Sequence, residues 1–92
     1  SHMIISGGVN IYPQEIENLL VTHPKVMDAA VIGAPDPDLG EQVVAVVQAI
    51  DMADAGEALE AELRDFLATQ LSRVKMPKRF EFRAELPREA NG

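Results

Sequence analysis

The chain has 92 residues, a formal net charge of −7 and no cysteine. A chain of this length holds one small domain, and without thiols it offers no disulfide and no thiolate metal site. Its apolar runs are far shorter than the roughly 20 residues of a membrane-spanning helix. Its acidity argues against nucleic acid as a partner, because phosphates are bound mainly by lysine and arginine. We expect a soluble protein of the cytoplasm.

Metal binding by histidine is not expected either. The chain has two histidines, His2 and His23. His2 belongs to residues 1–3, which are typical of an expression-tag remnant, so the domain itself is expected to span residues 4–92. His23 precedes a proline at a predicted helix end, which favours a capping or surface imidazole over a catalytic base.

The basic residues are concentrated near the carboxyl end. Between Ser72 and Arg88 there are two carboxylates, Glu81 and Glu85, and six cations: Arg73, Lys75, Lys78, Arg79, Arg83 and Arg88. The simpler explanation for this concentration of cations is a strand and tail exposed to solvent. The alternative is a patch that meets phosphates or an acidic partner surface.

The predicted elements begin with a hairpin, since short apolar stretches flank the turn signal Gly7-Gly8. A helix follows from Pro13 to about Thr22 or His23, with Tyr12 and Ile16 on its apolar face together with Leu19 and Leu20. Small and branched residues predict a buried strand at 26–34, and the prolines after it predict a loop at 35–40.

The second half of the chain predicts strand, helix, strand. Residues 42–50 are apolar on both faces, as at the centre of a sheet. Residues 57–71 carry one apolar stripe, as in a surface helix. Residues 79–83 alternate as an edge strand that turns two phenylalanines inward. The expected fold is α+β, a small three-stranded sheet with two main helices packed on it and an N-terminal β-hairpin.

The glycine pair alone indicates little about function. No phosphate-loop or dinucleotide-binding pattern surrounds Gly7-Gly8. What the pair does supply is bare backbone at an exposed turn, past which a narrow molecule can move. Glu15 and Glu17 are two apart on a helix and face different directions, so they are interpreted as dipole partners and interdomain contacts, not as an acid-base pair.

Four phrases together resemble a known family. They are SGGVNIYPQEIE at 6–17, HPKVMDAAVIGAPD at 23–36, GEQVVA at 40–45, and KMPKRFEF at 75–82 followed by LPR and the final Gly92. In these phrases residues 4–92 resemble the mobile C-terminal domain of the adenylate-forming enzymes, which include acyl-CoA synthetases. The resemblance implies that the chain has the fold of that domain.

The resemblance implies an ATP-dependent fatty-acid or related acyl-CoA ligase. Its small domain rotates between adenylation of a carboxylic acid and thioester formation with coenzyme A. The partner is the N-terminal adenylation domain of the same polypeptide, which holds Mg²⁺ and the acyl pocket. The family's catalytic lysine is expected immediately after Gly92, so no catalytic residue is assigned within the chain, and the 92-residue fragment alone is expected to be inactive.

The resemblance also implies binding residues. Gly7, Gly8, Val9 and Asn10 form the pantetheine-side loop, while Arg73 and Lys75 are candidates for CoA phosphate contacts. Some branches have a lysine at the position of Gly7 or an arginine near Asn10, and this chain has neither. A fatty acyl-AMP ligase, a peptide-synthetase adenylation subdomain and a non-catalytic interaction module remain alternatives.

Overall fold

The computed structural model describes residues 2–86, so the predicted features at Ser1 and from Pro87 to Gly92 lie outside the described residues. The chain forms one sheet with two helices. Its elements are β1 (Ile4–Ser6), β2 (Val9–Ile11), α1 (Pro13–Leu20), β3 (Val26–Asp36), β4 (Gly40–Ala49), α2 (Glu57–Ala68) and β5 (Arg79–Phe82), with short 3-10 helices at Met52–Asp54 and Arg73–Lys75. The predicted α+β class is confirmed.

The sheet has five strands in place of the predicted three, because the hairpin is part of it. Its order is β2-β1-β4-β3, with β5 parallel to β4. The strands β1 and β4 are antiparallel and meet at one residue pair, Ser6 and Gly40. The crossover from β4 through α2 to β5 is the connection that a parallel pair requires. The turn at Gly7-Gly8 therefore lies beside the start of β4.

The predicted loop at 35–40 was wrong at both ends, since β3 continues through Pro35 to Asp36 and β4 begins at Gly40. β3 pairs along its length with β4. The amide of Val31 points away from β4 and donates to Glu17 Oε2 at 2.8 Å. Because orientation alternates along a strand, Pro35 lacks an N–H only on the free edge, where proline is tolerated.

The core lies between the helices and one face of the sheet. Its fully buried members include Ile16 and Leu20 of α1 and Leu63 and Leu67 of α2. Phe80 is buried in this core and Phe82 packs against it, which confirms the inward-facing phenylalanines of β5. β4 is buried on both faces, as predicted, from Val43 to Val47.

Two apolar residues were wrongly assigned to buried positions. Tyr12 lies before the helix, at its N-cap, and is 55% exposed. Its backbone is extended because the following proline disfavours a helical conformation there. Ile50 follows the end of β4 and is also exposed. Both helices also end earlier than predicted, at Leu20 and Ala68.

Candidate glycine-turn site

The turn between β1 and β2 is exposed and glycine-dependent. Gly7 has φ 55° and Gly8 has φ 80°, the positive values that a type I′ hairpin turn requires. A Cβ atom on Gly8 would have no atom of the chain within 4 Å, whereas one on Gly7 would lie 3.2 Å from Leu39 Cδ2. The space over Gly8 is therefore open to another molecule.

The rest of the predicted loop is only partly exposed. Asn10 and Tyr12 are exposed, Val9 is half-buried and packs against the core, and Ile11 is fully buried. The alternation is that of a short strand with one face on the core. Of the four residues predicted to line a pantetheine passage, Gly7, Gly8 and Asn10 are thus accessible and Val9 is partly so.

A shallow groove begins at the turn. Its lining comes from three places in the sequence: Ser6, Gly7 and Val9; Leu39 and Val43; and Arg73, Val74 and Met76. The glycine turn and Arg73 were predicted as two separate binding segments, and the fold brings them to one groove. Val74, 60% exposed, was not predicted. Its sequence signal was only a single valine in a basic, proline-interrupted stretch.

Arg73 and Lys75 differ in their surroundings. Arg73 is exposed and lines the groove. Lys75 is half-buried, and its ammonium lies 3.0 Å from Glu15 Oε1 of α1. A phosphate at Lys75 would therefore compete with this carboxylate, while Arg73 faces the groove directly. Glu15 and Glu17 make different contacts, as their predicted separation on the helix required.

A buried carboxylate lies at the end of β3, next to the loop that contacts the turn. The side chain of Asp36 is 2% exposed. Its Oδ1 accepts hydrogen bonds from the amides of Asp38 and Leu39, each at 2.9 Å. Its Oδ2 accepts from Gln42 Nε2 at 3.2 Å and from Lys78 Nζ at 2.8 Å. The Lys78 ammonium, and then the two amides, lower the pKa of Asp36 from 3.8 to about 2, so the group is an anion at neutral pH.

The segment before β5 is held to α2 by Arg64. Its guanidinium donates to the carbonyl oxygens of Pro77 and Lys78 at 3.0 and 3.1 Å. It also lies over the ring of Phe80, 4.9 Å from the centroid. The amide of Lys78 donates to Val43 O at 2.8 Å, which fixes its backbone to β4. The side chain of Lys78 therefore extends from a backbone that is hydrogen-bonded at both its amide and its carbonyl.

His23 lies at the opposite end of the β3–β4 hairpin. It is buried, so the prediction of a surface imidazole was wrong, and its side-chain contacts are with Lys25 and Glu62 and not with the helix end. Its Nδ1 accepts from the amide of Lys25 at 3.1 Å, which places the proton of the neutral ring on Nε2, 2.9 Å from Glu62 Oε2. The ring packs edge-on against Phe66. The hydrogen bond from the Lys25 ammonium lowers the pKa of Glu62.

Within residues 2–86, neither helix is long and apolar enough to cross a membrane. No group of three or more histidine or carboxylate side chains is arranged to hold a metal ion in this part of the chain.

Known proteins resemble this chain over nearly all of its length. The sequence profile of the AMP-binding enzyme C-terminal domain matches residues 15–92. A sulfoacetate–CoA ligase of Cupriavidus necator is 46% identical over 98% of this chain and 17% of its own length. The long-chain-fatty-acid–CoA ligase FadD13 of Mycobacterium tuberculosis is 42% identical, with the same coverage of both chains.

A solved acyl-CoA synthetase of Brucella canis matches the fold with a TM-score of 0.88. It is 37% identical over 100% of this chain and 17% of its own length. The chain thus spans about one sixth of these relatives, within which a similar domain is present. The chain belongs to the AMP-binding enzyme C-terminal domain family.

Proposed function

We propose that this chain is the mobile C-terminal domain of an AMP-forming acyl-CoA ligase and that Gly7 and Gly8 line the passage of the pantetheine arm during thioester formation. The observation that carries the proposal is the open space over Gly8, at an exposed turn whose backbone needs glycine. The CoA ligases among its relatives support the reaction class.

The parent enzyme would use ATP, coenzyme A and a fatty or other carboxylic acid, and it would work in the cytoplasm. Its N-terminal domain would hold Mg²⁺ and the acyl pocket. The groove beside the turn supplies one cation, Arg73, for a CoA phosphate, by a charge-assisted contact. Lys75 would reach a phosphate only by sharing its ammonium with Glu15.

The turn contributes to the reaction by shape and not by chemistry. A thiol must reach the acyl-adenylate along a narrow path, and misplacement by about 1 Å can cost on the order of 100-fold in rate. A hydrogen atom at the Cα of Gly8 leaves this path free. Any side chain there would point into the open space.

The proposal is tested by Gly8→Asn in the parent enzyme. Asparagine tolerates positive φ, so the turn is kept while a side chain is added. We expect the rate of thioester formation from preformed acyl-adenylate to fall by about tenfold or more. Adenylation, measured by pyrophosphate exchange, should change less than about twofold, since its geometry is unaltered.

The matched control is Val21→Ala, an exposed position at the far end of α1. It should leave both half-reactions unchanged. Equal rates of thioester formation in Gly8→Asn and the unmodified enzyme would contradict the proposal. A parent that forms acyl-adenylate but transfers it only to a carrier-protein thiol would overturn the assignment of CoA as acceptor.

A further inference from the structure

The glycine turn does not hold its own position. The strands β1 and β2 have three residues each, and an isolated two-stranded hairpin is marginally stable at best. One hydrogen bond anchors the turn itself to the domain, from the amide of Gly7 to Leu39 O at 2.9 Å. Beside it, Ser6 pairs with Gly40 and the amide of Ile5 donates to Glu41 Oε1 at 2.9 Å. The position of Leu39 and of the start of β4 therefore sets where the turn lies.

Leu39 is in turn held by Asp36. The Oδ1 atom of Asp36 accepts from the amides of Asp38 and Leu39 and so fixes the short connection between β3 and β4. This carboxylate is almost fully buried and accepts four hydrogen bonds in all. A buried carboxylate with this many donors is strongly fixed in orientation.

The second oxygen of Asp36 reaches the other side of the groove. Its partner Lys78 lies two residues after the segment 73–76, which lines the groove together with the turn. The backbone of Lys78 is held by Arg64 and by Val43. One side chain thus contacts both the loop that anchors the turn and Lys78, which is joined through Pro77 to the segment that carries Arg73.

We propose that Asp36 is a positioning residue for thioester formation, which through Leu39 and Lys78 sets the spacing between the glycine turn and residues 73–76 of the groove lining. This inference rests on the proposed function of the turn. It predicts that loss of the Asp36 charge moves or loosens Gly7 without touching any atom of the passage.

The first test uses the 92-residue chain. Asp36→Asn keeps the shape of the side chain but removes the anion that Lys78 contacts. We expect hydrogen exchange at the Gly7 amide, followed by NMR, to accelerate about fivefold or more, roughly the worth of one net hydrogen bond. The control Glu62→Gln, at the opposite end of the hairpin, should leave Gly7 exchange unchanged. Unchanged exchange in Asp36→Asn would overturn the proposal.

The second test uses the parent enzyme. Asp36→Asn should raise KM for CoA about fivefold or more in the thioester half-reaction and leave pyrophosphate exchange within about twofold. A general loss of stability would lower both half-reactions together. If Asp36→Asn lowers the thermal midpoint but leaves KM for CoA unchanged, the role is structural only and the proposal fails.

Two further variants keep the outcomes separable. If Asp36→Asn does not fold, Lys78→Met removes only its ammonium partner, 58% exposed, and should accelerate Gly7 exchange in the same direction. An effect of Gly8→Asn without one of Asp36→Asn would sink this inference alone. If neither variant alters thioester formation, the proposed function of the turn fails as well.

Discussion

The two ends of the β3–β4 hairpin each contain a buried polar side chain, and they use it differently. At one end His23 joins the end of α1 to Glu62 of α2, and its ring is enclosed by Phe66. At the other end Asp36 fixes a loop, and that loop anchors an exposed, positive-φ glycine turn. The contacts of His23 join elements within the domain, whereas those of Asp36 hold the exposed glycine turn in position.

This difference separates stability from function. The contacts of His23 end within the domain, so its loss should weaken folding alone. The contacts of Asp36 lead through Leu39 to the backbone of Gly7 beside the groove. Loss of Asp36 should therefore also change the binding of a molecule in the groove. Measurements of stability can test whether changes at the His23 end leave the Asp36 end unaffected, as their separate contacts indicate.

The largest effect is expected from His23→Ala. It removes a buried ring and leaves the amide of Lys25 without its acceptor, so the free energy of unfolding in urea should fall by about 2–3 kcal/mol. Exchange at the Gly7 amide should change only through this global term. Val21→Ala, exposed on the same helix end, should stay within about 0.5 kcal/mol. A specific loosening of Gly7 in His23→Ala would break the comparison.

The Asp36 end should be the more acid-sensitive one, since the pKa of Asp36 is lowered further than that of Glu62 at the other end. The pKa of Asp36 is about 2 in the folded chain, below its ordinary 3.8. The unfolded state therefore binds the proton more readily, and this contribution is complete above about pH 4 and declines as the pH falls toward 2. Urea midpoints between pH 7 and pH 2 should fall more steeply in the unmodified chain than in Asp36→Asn. Parallel curves would contradict the anchoring role of this anion.

Gly8→Ala should have a moderate effect on stability. A non-glycine residue with positive φ costs about 1–2 kcal/mol, and asparagine costs less. The free energy of unfolding should therefore fall by about 1 kcal/mol in Gly8→Ala and by less in Gly8→Asn, since no neighbouring atom obstructs either side chain. Equal losses in the two variants would show that backbone strain is not the cause.

The smallest effect is expected from Lys75→Met. Its ion pair with Glu15 is partly exposed on both sides, and such pairs contribute about 0–1 kcal/mol. A double-mutant cycle with Glu15→Gln, followed by urea unfolding, should give a coupling energy below about 1 kcal/mol. A larger coupling would make Lys75 part of the groove's rigid wall and not a removable contact.

Much of the fold follows from local sequence. Periodicity predicted α2 and its buried stripe, and Gly7-Gly8 predicted the hairpin turn, because these features depend on neighbours within a few residues. The joining of the hairpin to the sheet was not predicted. It depends on the pairing of Ser6 with Gly40, which no local pattern encodes.

The site was also predicted only in part, because some of its contacts join residues that are far apart in the sequence. The exposed turn and Arg73 could be named from the sequence, but Asp36 lies in a proline-rich stretch that is typical of a solvated loop. Its burial depends on Lys78, 42 residues further along the chain. Val74 was missed because a single exposed valine has no sequence signature.

The outer edge of β3 has a consequence for the proposed rotation of the domain. The amide of Ala29 donates to Asp28 Oδ1, that of Val31 donates to Glu17 Oε2, and Pro35 has no amide hydrogen. An approaching strand would find these donors already used, and unsatisfied edges are what promote strand-to-strand aggregation. If the domain rotates as proposed, an edge with so few free donors would let it turn through solvent with less tendency to pair with another copy of itself.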